Sequence, residues 1–142
     1  MKTLITNDRA RVGAWVAERV GRETPWTREG AIGLENNGEL VAGVVIDGYV
    51  PDARASMHCA IERHGMNKMF LYACFDYAFR HLNLKVLLNP VSESNEASMR
   101  FTKHIGFTEI ARIPQAWNGE ENLVLFQMQR KDCRWLKGVS YE

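Results

Sequence analysis

Two stretches of the chain hold residue types at spacings that could do chemistry. The first is Ile61-Glu62-Arg63-His64-Gly65-Met66-Asn67-Lys68. If it joins a strand end to a helix start, the helix offers backbone N–H groups without intrahelical partners and the positive end of its dipole. Both favour a phosphate or diphosphate, and Arg63, Lys68 and a protonated His64 would add charge of the right sign. A solvated strand–helix turn would have the same composition, so this stretch alone leaves both readings open. The second is Asn95-x-x-Ser98-x-Arg100, followed by Gly106-Phe107. Asn95 suits a helix N-cap, and Gly106 suits the left-handed residue that ends a helix.

Between and beside these lie the candidate proton carriers. An imidazole titrates near neutrality, so His58 could take a proton from an ammonium group; Glu62 is the competing base. Cys59 is the neighbour of His58 and alternates to the other face of a strand. As a nucleophile it would need a depressed pKa and a partner base; a small buried residue is the simpler reading. His58, Cys59 and His64 do not converge as metal ligands for the same reason of alternation, and no metal is expected.

These residues need a strand, a loop and two helices to hold them, and the pattern supplies each. Ala53–Ile61 reads as a strand with Met57, Cys59 and Ile61 on one face and Ser56, His58 and Ala60 on the other. Asn67–Leu82 reads as a helix with a wide apolar stripe of Phe70, Leu71, Cys74, Phe75, Ala78, Phe79 and Leu82. Lys85–Asn89 is a short apolar run suited to a buried strand. Ala97, Phe101 and Ile105 mark a second helix, capped by Ser94 or Asn95.

Upstream, Lys2–Thr6 is a strand candidate. Asn7 or Asp8 caps a helix with Val12, Trp15, Val16 and Val20 on one face and Gly21 at its end. Glu23–Gly30 is loop or short helix. Ala31–Glu35 and Glu39–Tyr49 are strands joined by Asn37-Gly38, a pair suited to a type I′ turn. Thr108–Ile113 and Leu123–Met128 close the chain as strands around a loop holding Asn118-Gly119. The sum is a mixed α/β sheet flanked by helices.

The 142 residues fit one domain, taken as 1–142 with 136–142 as a tail. A net charge of +1 lacks the basic excess of a general nucleic-acid binder, and no nucleic-acid partner is expected. A basic lip would require Arg54, Arg112, Arg130 and Arg134 to gather. No apolar run is long enough to span a membrane, and no signal peptide is apparent, which makes the cytoplasm the default location. The three widely spaced cysteines indicate reduced thiols rather than a disulfide framework.

The Asn95-x-x-Ser98-x-Arg100 element with its Gly106-Phe107 end resembles the second signature of the GNAT acyltransferase superfamily. Its Ser and Arg version looks like the branch that acetylates ribosomal-protein N-termini. Phe75-Asp76-Tyr77-Ala78-Phe79 and Lys131-Asp132-Cys133-Arg134-Trp135-Leu136 are similar to small GNAT-like proteins of tailed phages and prophages. The resemblance runs over roughly 31–136. It implies a single GNAT-like domain with a mixed, mostly antiparallel, splayed sheet, and acetyl-CoA lying in the splay. The pantetheine arm would pair with Met57–Ile61, touching Cys59 and Ile61. The diphosphate would sit on Arg63, His64, Gly65, Met66, Asn67 and Lys68, with Asn95, Ser98 and Arg100 completing the cofactor site.

The implied reaction is direct attack of a primary amine of a small molecule or protein on the thioester, with His58 or Glu62 as base and Asn95 ordering the pantetheine or a water. Trp26, Tyr49 and Trp117 could wall the acceptor pocket. Two copies would pair through their last strands, burying Trp135 and Leu136. The sequence departs from the family pattern at Glu62 and Asn67, where a basic and a small residue are usual, and at Thr102, where many members carry a Tyr acid. Those departures leave open a second reading, a non-catalytic GNAT-fold binding module with a degenerate acyl-CoA loop, of the kind a phage could encode.

Overall fold

The computed structural model describes residues 1–62, 65 and 67–136. One seven-stranded sheet runs through them. Its strands are β1 (Lys2–Ile5), β2 (Gly30–Asn36), β3 (Glu39–Val50), β4 (Arg54–Ile61), β5 (Val86–Ser92), β6 (Thr108–Ile113) and β7 (Leu123–Gln129). The spatial order is β1-β2-β3-β4-β5-β7-β6, and every neighbour pair is antiparallel except β4 with β5. Helices α1 (Arg9–Val20), α2 (Lys68–Asp76) and α3 (Glu96–His104) connect and cover it.

Strand alternation sends the chain's apolar residues into two cores. Val44 and Ile46 of β3 join Met57, Phe70, Leu71, Phe75 and Phe79 on the α2 side. Val45, between them, joins Val12, Val16, Ala17 and Trp26 on the α1 side. Phe70, Phe75 and Phe79 have no exposed surface, and each such ring contributes roughly 1.5–3 kcal/mol by leaving water. The expected apolar stripe therefore sits in the core.

The expected single α-helix over Asn67–Leu82 is corrected by the structure. It is α-helical to Asp76 and π-helical over Tyr77–His81, where the Leu82 N–H reaches back to the Tyr77 carbonyl at 2.9 Å. The wide turn keeps both Ala78 and Phe79 buried, so apolar spacing does not reveal it. Asp8, not Asn7, caps α1, and Asn95, not Ser94, caps α3. Asn37 and Gly38 carry φ of 55° and 90°, as a type I′ turn requires. Residues 23–29 form bends without a helix, and Trp26 within them is 3% exposed. Leu136, assigned to the tail, is buried in the α2-side core; the rest of that tail lies outside the described residues.

The decisive feature is where the sheet opens. β4 and β5 pair at Arg54 with Val86, Ala55 with Leu87 and Ser56 with Leu88, and then separate. Past that point β4 still pairs with β3 as far as Ile61 with Ala42, and β5 with β7 as far as Ser92 with Leu123. The strands splay, as the resemblance implied.

Candidate active site

Peptide groups alternate direction along a strand, so the two ends of β4 fix which residues face the opening. The Ala53 carbonyl accepts from the Lys85 and Val86 N–H groups of the β5 side at 2.9 and 3.1 Å. The Glu62 N–H points the other way, to the Val41 carbonyl of β3 at 2.8 Å. Met57, Cys59 and Ile61 share the parity of Ala53, so their main-chain donors and acceptors face the splay. This edge is unpaired beyond Ser56 and can accept an extended, amide-bearing chain as a further strand.

The opening forms a cleft of about 730 Å³. Its floor is Cys59–Glu62. One wall is the end of α1, with Arg19 and Val20; the other is α3, with Asn95, Ala97, Ser98, Phe101 and His104. A narrow inner chamber of about 40 Å³ continues it past Cys59, Asn95 and Ser98 to His58, Asn89, Ser92, Thr102 and Trp117.

Asn95 stands at the mouth of both spaces. Its Oδ1 accepts from the Ser98 N–H at 3.1 Å, which caps α3, while the residue lines the cleft. Arg100 is exposed on α3 and does not line the cleft. Thr102, in the place of the usual Tyr, is 3% exposed and lines the inner chamber; its hydroxyl has no pKa suited to acid catalysis.

Glu62 lies on the cleft floor, and Nε of Arg19 holds its carboxylate at 2.9 Å. The negative charge expected to oppose a diphosphate is thus paired by a cation of α1. Sequence reading missed Arg19, because a partner 43 residues away leaves no local signal.

In the first stretch, Arg63, His64 and Met66 lie outside the described residues. Gly65 is buried and its N–H already donates to the Glu62 carbonyl at 2.8 Å. Asn67 caps α2, accepting from the Phe70 N–H at 3.0 Å. The N–H groups of Lys68 and Met69 remain ahead of the capped one, and Lys68 is exposed.

His58 points to the α1 side, with Nε2 2.9 Å from Asp47 Oδ1 and its ring 4.6 Å from that of Trp26. Burial pushes the Asp47 carboxyl up. The hydrogen bond and charge of His58, the Trp26 N–H and the charge of Arg22 outweigh that and leave it below the usual carboxylate range. Cys59 turns its thiol into the apolar core on the other side, where burial pushes it up to about 12. A thiol so raised is not a nucleophile near neutrality.

Of the three aromatics expected to wall an acceptor pocket, Trp117 lines the inner chamber, Tyr49 is exposed on β3, and Trp26 is buried beneath His58. Three of the four arginines expected in a basic lip are engaged with separate partners. Arg112 is held between Glu93 and Glu109 at 2.8 and 2.7 Å, Arg130 donates to Asn83, and Arg134 reaches the His104 carbonyl. Trp135, expected in an interface, donates its indole N–H to the Ile105 carbonyl of its own chain at 2.7 Å.

Against known proteins, the family described as acetyltransferase (GNAT) domain matches residues 2–108. Comparison with curated protein sequences gave no match. Among solved structures, the ribosomal-protein-S18-alanine N-acetyltransferase from Escherichia coli superposes with a TM-score of 0.69 at 17% identity, over 99% of this chain and 100% of that one. YncA, described as a putative acetyltransferase from Salmonella typhimurium with its cofactor acetyl-CoA, gives 0.67 at 16% identity, over 91% and 94%. The dodecameric spermidine N-acetyltransferase from Vibrio cholerae gives 0.68 at 16% identity, over 98% of each chain. At these identities the likeness establishes the fold.

Proposed function

The chain belongs to the GNAT acetyltransferase domain family, and on that premise we propose that it moves the acetyl group of acetyl-CoA to a primary amine. The observation that carries this reading is the open edge of β4. An amide-bearing pantetheine arm has the length and hydrogen-bonding groups to lie along it, and the cleft of about 730 Å³ has room for it. The donors present suit the rest of the ligand. Lys68, with the N–H groups of Lys68 and Met69 at the start of α2, would hold the diphosphate, and Arg63, His64, Gly65, Met66 and Asn67 would shape that loop. Ser98 and Arg100 would flank it from α3.

The protein's part in the reaction is alignment, polarisation and proton removal. The cleft holds amine and thioester together, which removes much of the entropic barrier. An N–H of Cys59 or Ile61, facing the splay, donates to the thioester oxygen, where negative charge builds. His58 in the inner chamber removes a proton from the ammonium, directly or through a water that Asn95 orders. A C–N bond then forms as the C–S bond breaks; the nitrogen gives up its second proton and the sulfur leaves to become the CoA thiol. With no acid of suitable pKa at Thr102, water protonates that sulfur. Glu62, held by Arg19, serves the cofactor end of the cleft better than the reacting end.

Among the described residues no helix is long and apolar enough to cross a membrane, and Cys59, Cys74 and Cys133 are unbridged; both suit a cytoplasmic enzyme drawing on acetyl-CoA. The resemblance of Phe75–Phe79 and Lys131–Leu136 to small phage-encoded GNAT-like proteins supports a phage or prophage origin as part of this proposal.

Calorimetry with acetyl-CoA, with free CoA alongside, tests the reading first. Binding is expected in the micromolar range, about −8 kcal/mol. Thiol release with a panel of amines is expected to follow. Absence of heat and of a thermal shift up to millimolar ligand would overturn it in favour of a non-catalytic binding module.

A further inference from the structure

Behind the inner chamber lies a polar cluster that sequence reading passed over. Val45 of β3 pairs with His58 of β4, so Asp47, two residues along, is the diagonal neighbour of His58 on the same face. Both oxygens of Asp47 are engaged: Oδ1 lies 2.9 Å from His58 Nε2, and Oδ2 accepts from the Trp26 indole N–H at 3.0 Å. The Trp26 ring lies 4.6 Å from the imidazole, and the Arg22 guanidinium lies 4.4 Å over the Trp26 ring on its own account. The His58 side chain is 15% exposed and that of Asp47 25%. An imidazole held by a carboxylate at one nitrogen and by an aromatic face has a fixed position and a fixed tautomer.

We propose that Asp47 is the positioning residue for His58, and that Trp26 in turn fixes Asp47. Asp47 accepts the Nε2–H, so the neutral ring carries its lone pair on Nδ1. That nitrogen takes one proton from the acceptor's ammonium, leaving a neutral amine to attack. The imidazolium so formed keeps its Nε2–H bond to Asp47, whose negative charge stabilises it, and later releases the Nδ1 proton to water. Asp47 stays ionised throughout. Among the described residues, Arg22, from the segment after α1, adds a positive charge that favours the ionised form of Asp47. This inference rests on the acetyl-transfer reading and gives that site its proton path.

Nitrogen-15 NMR of histidine-labelled full-length protein tests the pairing without any need for turnover. Neutral His58 is expected as the Nε2–H tautomer. Asp47→Asn is expected to lose that preference, because the carboxylate that accepts the Nε2–H is gone. In turnover, Asp47→Asn is expected to lower kcat on the order of 10²–10⁴-fold, with the KM for acetyl-CoA unchanged. Trp26→Phe keeps an aromatic ring, though a smaller one, and deletes the N–H; it is expected to give a smaller loss in the same direction, and Asp47→Glu a partial rescue. An Nδ1–H tautomer in the parent, or an Asp47→Asn protein with unchanged tautomer and turnover, would overturn the inference and leave the acetyl-transfer reading standing. A parent with the expected tautomer and no turnover on any amine would instead overturn that reading, and the catalytic role of Asp47 with it.

Discussion

At Gly65 the chain has no room for a side chain. A Cβ there would lie 2.4 Å from the Val41 carbonyl oxygen and 2.9 Å from that of Glu62, both backbone atoms that cannot turn aside. The glycine is needed for packing against β3, and its N–H is spent within the loop. A Gly65→Ala change is therefore expected to cost ~1–3 kcal/mol of stability and to weaken acetyl-CoA binding through the displaced loop. Lys68→Ala, at an exposed position, should weaken binding and leave the melting temperature alone. Thermal unfolding and calorimetry on the two variants separate these effects; a Gly65→Ala protein equal to the parent in both would sink the packing argument. At this scale Asn95 and Gly106 were legible, because caps and left-handed ends demand particular residue types. Arg19 and Asp47 were not, because their roles come from partners 43 and 11 residues away.

Among the elements, α1 does more than cover the sheet. At Gly13 a Cβ would lie 2.0 Å from the Trp26 carbonyl oxygen, so the helix meets the backbone of the segment that follows it. That contact seats Trp26 under His58. Helix propensity predicts that Gly13→Ala stabilises by about 1 kcal/mol; the clash predicts the reverse and wins, because the obstacle is main chain. A net loss of ~1–3 kcal/mol in urea unfolding is expected, and a gain would show that the segment yields easily. Apolar spacing made α1, α2 and α3 readable. The π-helical turn at Tyr77–His81 was hidden, since a turn widened by one residue still buries the same side of the helix.

For the molecule as a whole, the last described residues, Trp135 and Leu136, are part of the domain. Leu136 is buried, and Trp135 donates to the Ile105 carbonyl at the end of α3. Trp135→Ala is expected to lower stability by about 2 kcal/mol or more and to leave the sedimentation coefficient unchanged. Dissociation of an assembly without loss of stability would restore the interface role that the sequence suggested. The sequence by itself determined the composition class, the hairpin at Asn37-Gly38, the helix faces, the alternation of β4 and the signature at Asn95–Phe107, all of which depend on neighbours within a turn or a strand. Only the tertiary structure decided that β4 and β5 part company after Ser56, which turns an ordinary strand edge into a binding surface. It also decided that Glu62 meets Arg19 and that His58 meets Asp47 and Trp26. Local pattern fixes which way a residue faces along its own element; register and splay, set by packing between distant elements, decide what it faces.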